Sequence, residues 1–396
     1  MVHAIRMIVG GKDLGRTLRL RQGVRTLRNV RRRVLILDIV TSPIVITGQR
    51  QVLENGHLTV LAVNAGSQMI HRTEKVLDAK LMETLRENPC RTAFILAAGN
   101  SHFAGINPKD FGKTQLTYTY KFLPFTLTQV YAGRIASACG AYDHVSSDSS
   151  ACASSLKVMM DVRHLIQLYG FERVIVLSVE DAVTNSVTTF FGESGAVLTN
   201  TQDSEGVLPS AFDETHYGFH VGQGAVFAVF ETEASMQKTG FKPKAQLMGA
   251  YTAAEECTNA IGQREDGQGF KRAIEGALYV SQIQPHQVRT VKTHGTGTKS
   301  NNLSEKTALT GVLKDFVATS FKQRIGHTMG ASGLLETALL LDNIKNGFVP
   351  EILNRTDEDA VFLSKPAPAE KGGLVLSLAA CMGNVYSAAI FKDAQC

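Results

Sequence analysis

Residues 149–179 read SSACASSLKVMMDVRHLIQLYGFERVIVLSV, and two periodicities follow one another along them. Leu156, Met159, Met160, Arg163, Ile166 and Gln167 fall at helical spacing, which predicts a helix over about residues 153–169. Residues 173–179 (RVIVLSV) are a short apolar run that predicts a buried strand. The same signals recur on both sides. Upstream, residues 33–40 (RVLILDIV), ended by Thr41-Ser42-Pro43, predict a first strand, and a second apolar run covers 58–63. Helical periodicity follows over 75–85, then a strand over 92–98 (TAFILAA) stopped by Gly99-Asn100. Downstream, 225–230, 244–251 and 288–293 predict strands, 269–280 and the strongly apolar 332–345 predict helices, and 374–380 predicts a last strand. Strands alternating with helices make an α/β chain with covered sheets. The alternation repeats on either side of the polar, turn-rich stretch 232–243, which points to an internal duplication without a residue-level repeat.

Composition narrows the function classes. The 396 residues are 44% hydrophobic and 19% charged, enough apolar surface for one or two real cores. No uncharged apolar run approaches the ~18–20 residues of a membrane-spanning helix, so stable membrane insertion is not expected. Six cysteines (Cys90, Cys139, Cys152, Cys257, Cys381 and Cys396) without CxxC pairing fit a reducing, cytoplasmic setting better than a disulfide framework or a zinc site. The net charge of +5 is unevenly placed: residues 1–33 hold nine Arg, one Lys and one Asp, a balance of +9 that leaves −4 for the rest. A nucleic-acid-binding face needs its charge on the folded body, so no nucleic-acid partner is expected. Within that basic end, Leu20, Val24, Leu27, Val30 and Val34 share one helical face opposite Arg21, Arg25, Arg28 and Arg32. Such a helix suits a membrane surface, an import peptide or an acidic partner, and a plain extension with no role is the competing reading. The expected division is a basic extension at 1–33 and two halves at 34–240 and 241–396.

Three segments carry chemistry. Cys152 lies among small residues just before a helix, where the macrodipole and free N–H groups favour the nucleophilic thiolate. An inert buried cysteine is the alternative reading of that residue alone. Residues 291–305 (VKTHGTGTKSNNLSE) place His294 at a strand end on a glycine-rich turn. Residues 321–333 (FKQRIGHTMGASG) place His327 before a small-residue stretch that opens a helix. Each histidine alone is compatible with a structural role. All three groups at strand-to-helix junctions of one kind are the stronger signal. The two histidines have no carboxylate or cysteine companion at ligand spacing, so no metal is expected.

Taken together, these segments resemble the β-ketoacyl-acyl-carrier-protein synthases (ketosynthases) of the thiolase superfamily, in a divergent type II polyketide or fatty-acid form. Residues 150–156 (SACASSL) resemble the family's nucleophile segment, and 294–298 read HGTGT with Glu305 at the spacing of its acidic residue. Lys322 stands five before His327, and Phe212-Asp213 with residues 218–225 resembles PFD…DGFxxGEGA. The resemblance runs from about Thr126 to Lys392. It implies a thiolase fold, with duplicated βαβαβαββ halves in a five-layered αβαβα architecture. It also implies a decarboxylative Claisen condensation in which Cys152 takes the acyl chain and a malonyl thioester supplies the extender. His294 and His327 would donate to the malonyl thioester oxygen, a type of contact typically worth ~3–4 kcal/mol. Lys322 and Glu305 would hold those histidines, and Thr296 and Thr298 would bind the phosphopantetheine arm. The N–H groups of Cys152 and Met382 would form the oxyanion hole. No cofactor is implied beyond the phosphopantetheine of an acyl carrier protein. The implied partners are that carrier and a second subunit, either the same chain or a second ketosynthase-like chain.

Several positions depart from the family. Where GFGGTN is usual, with a phenylalanine gate ahead of it, residues 380–386 read ACMGNVY, which puts Ala380 at the gate and a wider site beside it. Asn302 and Gln223 replace usual acids, and the region between the first strand and Thr126 is short. Cys381-Met382-Gly383 superficially resembles a thiolase segment, which leaves a thiolase-type acyltransferase as one alternative. A non-elongating, chain-length-factor-type subunit is the other.

Overall fold

The computed structural model describes residues 79–99, 127–180, 182, 187, 190–192, 209–214, 218–256 and 261–394, together with the backbone of Ile5–Val9, Lys12–Asp13 and Val34–Ile44. In chain order these form β1 (Ile5–Val9), β2 (Lys12–Asp13), β3 (Val34–Ile44), α1 (Ala79–Glu87), β4 (Thr92–Ala97), α2 (Thr128–Ala138) and β5 (His144–Asp148). Then come α3 (Ser154–Gln167), β6 (Arg173–Glu180), β7 (Gln223–Glu231), α4 (Glu233–Thr239), β8 (Ala245–Ala254), α5 (Gln268–Ser281) and β9 (Val288–Lys292). The chain ends with α6 (Lys299–Val312), β10 (Val317–Thr319), α7 (Lys322–Ile325), α8 (Ser332–Lys345), β11 (Phe348–Val349), β12 (Ala367–Pro368), β13 (Leu374–Cys381) and β14 (Val385–Asp393).

The duplication is explicit in the topology. The first half runs β5-β4-β6-β7-β3 across the sheet and the second runs β10-β9-β13-β14-β8, so each has the order third, second, fourth, fifth, first. In each half the fifth strand alone runs antiparallel to its neighbours. The halves meet where β3 pairs antiparallel with β8, from Val34↔Leu247 to Ile36↔Ala245. Both halves read βαβαβαββ, as the resemblance implies.

Strand alternation then builds the layers, because successive side chains point to opposite faces. On β4 and β6, Phe94, Leu96, Ile175 and Leu177 pack with α1 and α2, while Ile95, Val174 and Val176 face the interior. On β13, Leu376 and Leu378 pack under α5 and α6, while Val375 and Ala379 face the same interior from the other half. That interior is filled by α3 and α8, which touch each other. The result is α–β–α–β–α. A helix stretch buried all round must be nearly apolar all round; in α8 the buried stretch 333–341 is so apart from Thr337 and one charged residue, Glu336, which is fully buried.

The structure differs from the sequence expectations at five places. The stretch 232–243 contains α4, because Thr232 caps it by accepting the Ser235 N–H and Gly240 ends it at φ 66°. The first strand continues through Thr41-Ser42-Pro43 to Ile44. The strand ending at Cys381 is followed by β14, and residues 299–312 form a helix the motif reading passed over. Residues 1–33 are not wholly outside the sheet, since β1 pairs parallel with β3. The amphipathic pattern at 20–34, the run at 58–63 and the start of the 75–85 pattern lie outside the described residues.

Candidate active site

Cys152 sits on a single turn of 3₁₀ helix, Ala151–Ala153, that leads into α3. Ala151 has φ 41°, a left-handed backbone that costs a non-glycine residue roughly 1–2 kcal/mol. The adjoining loop fits it tightly: a Cβ on Gly99 would lie 2.5 Å from the Ala151 carbonyl oxygen. The second half repeats the device. Met329 has φ 43°, the turn Met329–Ala331 leads into α8, and the segments ACASSL and MGASGL align residue for residue. This residue-level repeat becomes visible only once the two elbows are superposed in conformation. Gly330 occupies the place of Cys152, and a Cβ there would lie 2.5 Å from the Gly99 nitrogen.

The thiol is 6% exposed and shares a small apolar pocket with Ala182, Val187, Phe219, Val221 and Met329, whose Sδ is 3.9 Å from Cys152 Sγ. Burial pushes this thiol up to about 12; the neighbouring Cys381 adds to the rise and Lys322 acts against it. The expected resting thiolate is therefore corrected to a neutral thiol. The helix terminus favours the anion, but desolvation in an apolar pocket outweighs it.

The structure brings the two histidines together. Their ring centroids are 5.7 Å apart with the planes at 80°, and the Phe219 ring stands edge-on to His327 at 5.0 Å. His327 Nδ1 lies 2.9 Å from Ser332 Oγ, which is 3.2 Å from Thr328 Oγ1. A chain in which Thr328 donates to Ser332 and Ser332 donates to Nδ1 leaves the His327 proton on Nε2. His294 Nδ1 is buried without a partner among the described residues. An unpaired acceptor is tolerated better than an unpaired donor, so here too the proton belongs on Nε2. Burial, followed by the charge of Lys322, holds both imidazoles well below the usual histidine range, so both are neutral near pH 7.

Glu305 and Lys322 do not act alike. Glu305, on α6, accepts the backbone N–H groups of His294 at 2.5 Å and Gly295 at 3.0 Å, and the Asn301 side chain at 3.0 Å. It holds the His294 turn through its backbone. Lys322 is not hydrogen-bonded to either imidazole; its ammonium donates to Glu336 on α8 at 2.8 Å. Its effect on the histidines is through charge. Glu336 also faces Lys292, the last residue of β9, at 3.3 Å. Lys292 and Glu336 were missed in the sequence. The available signal was a carboxylate within the apolar run 333–341 (GLLETALLL) and a lysine two residues before His294.

Thr296 and Thr298 lie on the turn after His294 with their hydroxyls 3.1 Å apart. Met382 is 43% exposed at the turn between β13 and β14. That turn is anchored by Glu255, which accepts from Asn384 at 3.1 Å and from the Tyr386 hydroxyl at 2.5 Å. Ala380 is not at the thiol. It is fully buried in the outer core with Tyr386, beneath α5 and α6, on the far face of β13. Alternation puts Cys381 toward Cys152 instead, which corrects the gate assignment. Among the described residues no helix is long and apolar enough to cross a membrane, and no three His, Cys, Asp or Glu are grouped to hold a metal ion.

A thiol elbow and a paired-imidazole elbow on a duplicated αβαβα fold define a ketosynthase-like protein. Residues 68–235 match the β-ketoacyl synthase N-terminal domain and residues 244–356 the β-ketoacyl synthase C-terminal domain, and the chain belongs to this family. It is 28% identical over 253 residues, 62% of this chain and 59% of the relative, to a Streptomyces rimosus protein that carries the name oxytetracycline polyketide β-ketoacyl synthase 1. It is 25% identical over 242 residues, 60% of this chain and 58% of the relative, to the Staphylococcus aureus 3-oxoacyl-[acyl-carrier-protein] synthase 2. The chain thus spans about three-fifths of the length of these curated relatives. Two solved structures share the fold, each with a TM-score of 0.73 and 17% identity. One is a type II polyketide synthase acyl-carrier protein in complex with its ketosynthase bound to the hexaketide, matched over 91% of this chain and 99% of that one. The other is the ishigamide ketosynthase/chain length factor, matched over 92% of this chain and 100% of that one.

Proposed function

We propose that this chain is a β-ketoacyl-acyl-carrier-protein synthase that extends an acyl chain by decarboxylative Claisen condensation, in fatty-acid-like or polyketide synthesis. The observation that carries the reading is the pocket in which Phe219 and Met329 join the Cys152 thiol to the His327 side of a neutral imidazole pair. In the first half-reaction Cys152 Sγ attacks the acyl thioester carbonyl, the bond to the carrier sulfur breaks, and the thiol proton ends on the departing carrier thiol. The N–H groups of Cys152 and Met382 serve the oxyanion. In the second, a malonyl thioester loses carbon dioxide while its thioester oxygen accepts from His294 Nε2–H and His327 Nε2–H. The resulting enolate carbon attacks the Cys152 thioester. A carbon–carbon bond forms, the carbon–sulfur bond breaks, and the Cys152 thiolate released takes its proton from solvent. Two neutral, Nε2-protonated rings suit this step because they donate to the oxygen without needing to transfer a proton.

The substrates would arrive on the phosphopantetheine arm of an acyl carrier protein, with Thr296 and Thr298 receiving the arm. The working unit would be a dimer, with a second copy or a second ketosynthase-like chain, acting in the cytoplasm. Retention of Cys152 with both histidines favours catalysis over a chain-length-factor-type role. The test is incubation with an acyl-carrier thioester followed by intact-mass analysis. An acyl adduct on wild type that disappears in Cys152→Ala supports the nucleophile; no adduct, or an equal one in the variant, rejects it. The position of Cys381 beside Cys152 keeps a thiolase-type acyltransferase as a second reading. A Cys381→Ala protein that still condenses malonyl thioester excludes it.

A further inference from the structure

Lys292 takes no part in the chemistry set out above, yet it is fully buried at the end of the strand that delivers His294. Its ammonium lies 3.3 Å from Glu336 Oε2, an ion pair rather than an aligned hydrogen bond, and donates to the Leu378 carbonyl of β13 at 2.6 Å. The other Glu336 oxygen is taken by Lys322 at 2.8 Å. One buried carboxylate therefore carries two buried ammonium groups, one more cation than a salt bridge needs. Desolvating an ammonium costs several kcal/mol even after relaxation, so a surplus cation in the core calls for a further counter-charge.

Glu305 supplies it. Glu305 on α6 is bound to the backbone of His294, two residues after Lys292; burial pushes its carboxyl up, while the His294 and Gly295 N–H groups, Asn301 and the charge of Lys292 hold it down. The other charges acting on Lys292 are Glu336 from α8 and Lys322 from α7, with His294 and His327 neutral nearby. Two lysines and two carboxylates then sum to zero. We propose, on the condensing reading above, that Lys292 is a positioning residue for the malonyl half-reaction: it balances Glu305, and through Glu305 it fixes the His294 turn. If the ammonium is removed, one of the two carboxylates is left without its cation and takes up a proton. A protonated Glu305 loses acceptor capacity for the His294 and Gly295 N–H groups, and the imidazole it positions is freed. The same ammonium also helps keep both imidazoles neutral, after burial and Lys322.

The test separates the half-reactions in Lys292→Met and Lys292→Arg. Cys152 acylation is read by intact mass, and malonyl-carrier decarboxylation is followed across pH 5 to 8. In Lys292→Met, acylation is expected within threefold of wild type and decarboxylation at least tenfold slower. The acidic limb of its pH profile should move upward, since the histidines then protonate more easily. Lys292→Arg is expected to restore the limb. Equal loss of both half-reactions, or an unmoved limb, overturns the proposal. A wild-type protein that forms no Cys152 adduct would instead reject the condensing reading. In that case NMR titration of His294 and His327 still decides the role of Lys292: unchanged histidine titration in Lys292→Met overturns it.

Discussion

His327 and Ser332 are five residues apart in sequence and 2.9 Å apart in space, joined from Nδ1 to Oγ across the turn that opens α8. The element that aims the imidazole also sets a hydroxyl against its Nδ1. A serine hydroxyl donating to Nδ1 leaves Nε2–H as the only ring donor. Ser332→Ala is expected to slow malonyl-thioester decarboxylation about 5- to 30-fold, the equivalent of ~1–2 kcal/mol for one lost buried hydrogen bond. Acylation of Cys152 should be unaffected. Single-turnover rates for the two half-reactions check this, and equal slowing of both would refute the tautomer role.

The resting thiol has its own kinetic signature. Because Cys152 is pushed up to about 12 by burial, the thiolate fraction should rise about tenfold per pH unit through the neutral and mildly alkaline range. Iodoacetamide labelling of the Cys152 peptide, followed by mass spectrometry from pH 7 to 9.5, should increase without levelling off. A plateau below pH 8 would mean an activated thiolate at rest.

Two histidines held neutral make stability depend on pH. Both lie well below the unfolded histidine value, so the unfolded chain binds more protons between the two. The stability they contribute is present above about pH 6.5 and is lost as pH falls through the region below it. Urea unfolding should weaken by up to ~1.4 kcal/mol per pH unit for each histidine between pH 6 and 5. His294→Asn/His327→Asn should flatten that slope, and an unchanged slope would assign the acid sensitivity elsewhere.

Ala380 and Cys381 separate packing from pocket. Ala380→Phe forces an aromatic ring into the closed core beneath α5 and α6 and is expected to cost about 1–3 kcal/mol of stability. It should not change which acyl chains load. Cys381→Phe points the ring at the thiol and is expected to shorten the longest acyl chain accepted, read as adduct mass on Cys152. Shortening by Ala380→Phe instead would restore residue 380 to the gate.

Breaking the buried ion cluster on one side should be severe. Glu336→Gln leaves Lys292 and Lys322 without their shared carboxylate, and loss of one partner of a buried pair typically costs 3–5 kcal/mol. The double replacement Lys292→Met/Glu336→Gln, which leaves Lys322 and Glu305 as one cation and one anion, should recover part of that stability in thermal unfolding while remaining slow to decarboxylate. A double variant no more stable than Glu336→Gln would show that the destabilisation is not electrostatic.

Much of this was legible in the sequence, and the reason lies in the range of the signals. Strands such as Arg173–Glu180 and helices such as Ser154–Gln167 and Ser332–Lys345 declare themselves through local periodicity. Cys152, His294 and His327 stand out because each follows or precedes a run of small residues. Lys292 and Glu336 did not, since their meaning depends on a pairing across 44 positions that periodicity cannot register. Ala380 was misplaced by one residue, and in a strand that single step moves a side chain to the opposite face. The repeat of ACASSL in MGASGL escaped notice because only the backbone conformation is conserved strictly between the two elbows; half of the paired side chains differ.

Gly330 gives that repeat an asymmetric outcome. The two elbows are packed against each other, and Gly99 closes over the second so tightly that no side chain can stand there. On the condensing reading proposed above, only the first elbow has room for a covalent load, and the second half would supply imidazoles and buried charge instead. Two units of one topology would then serve as a holder and an activator. Their shared wall also links their fates, because a side chain added at Gly333 would press on Leu156 behind the opposite elbow.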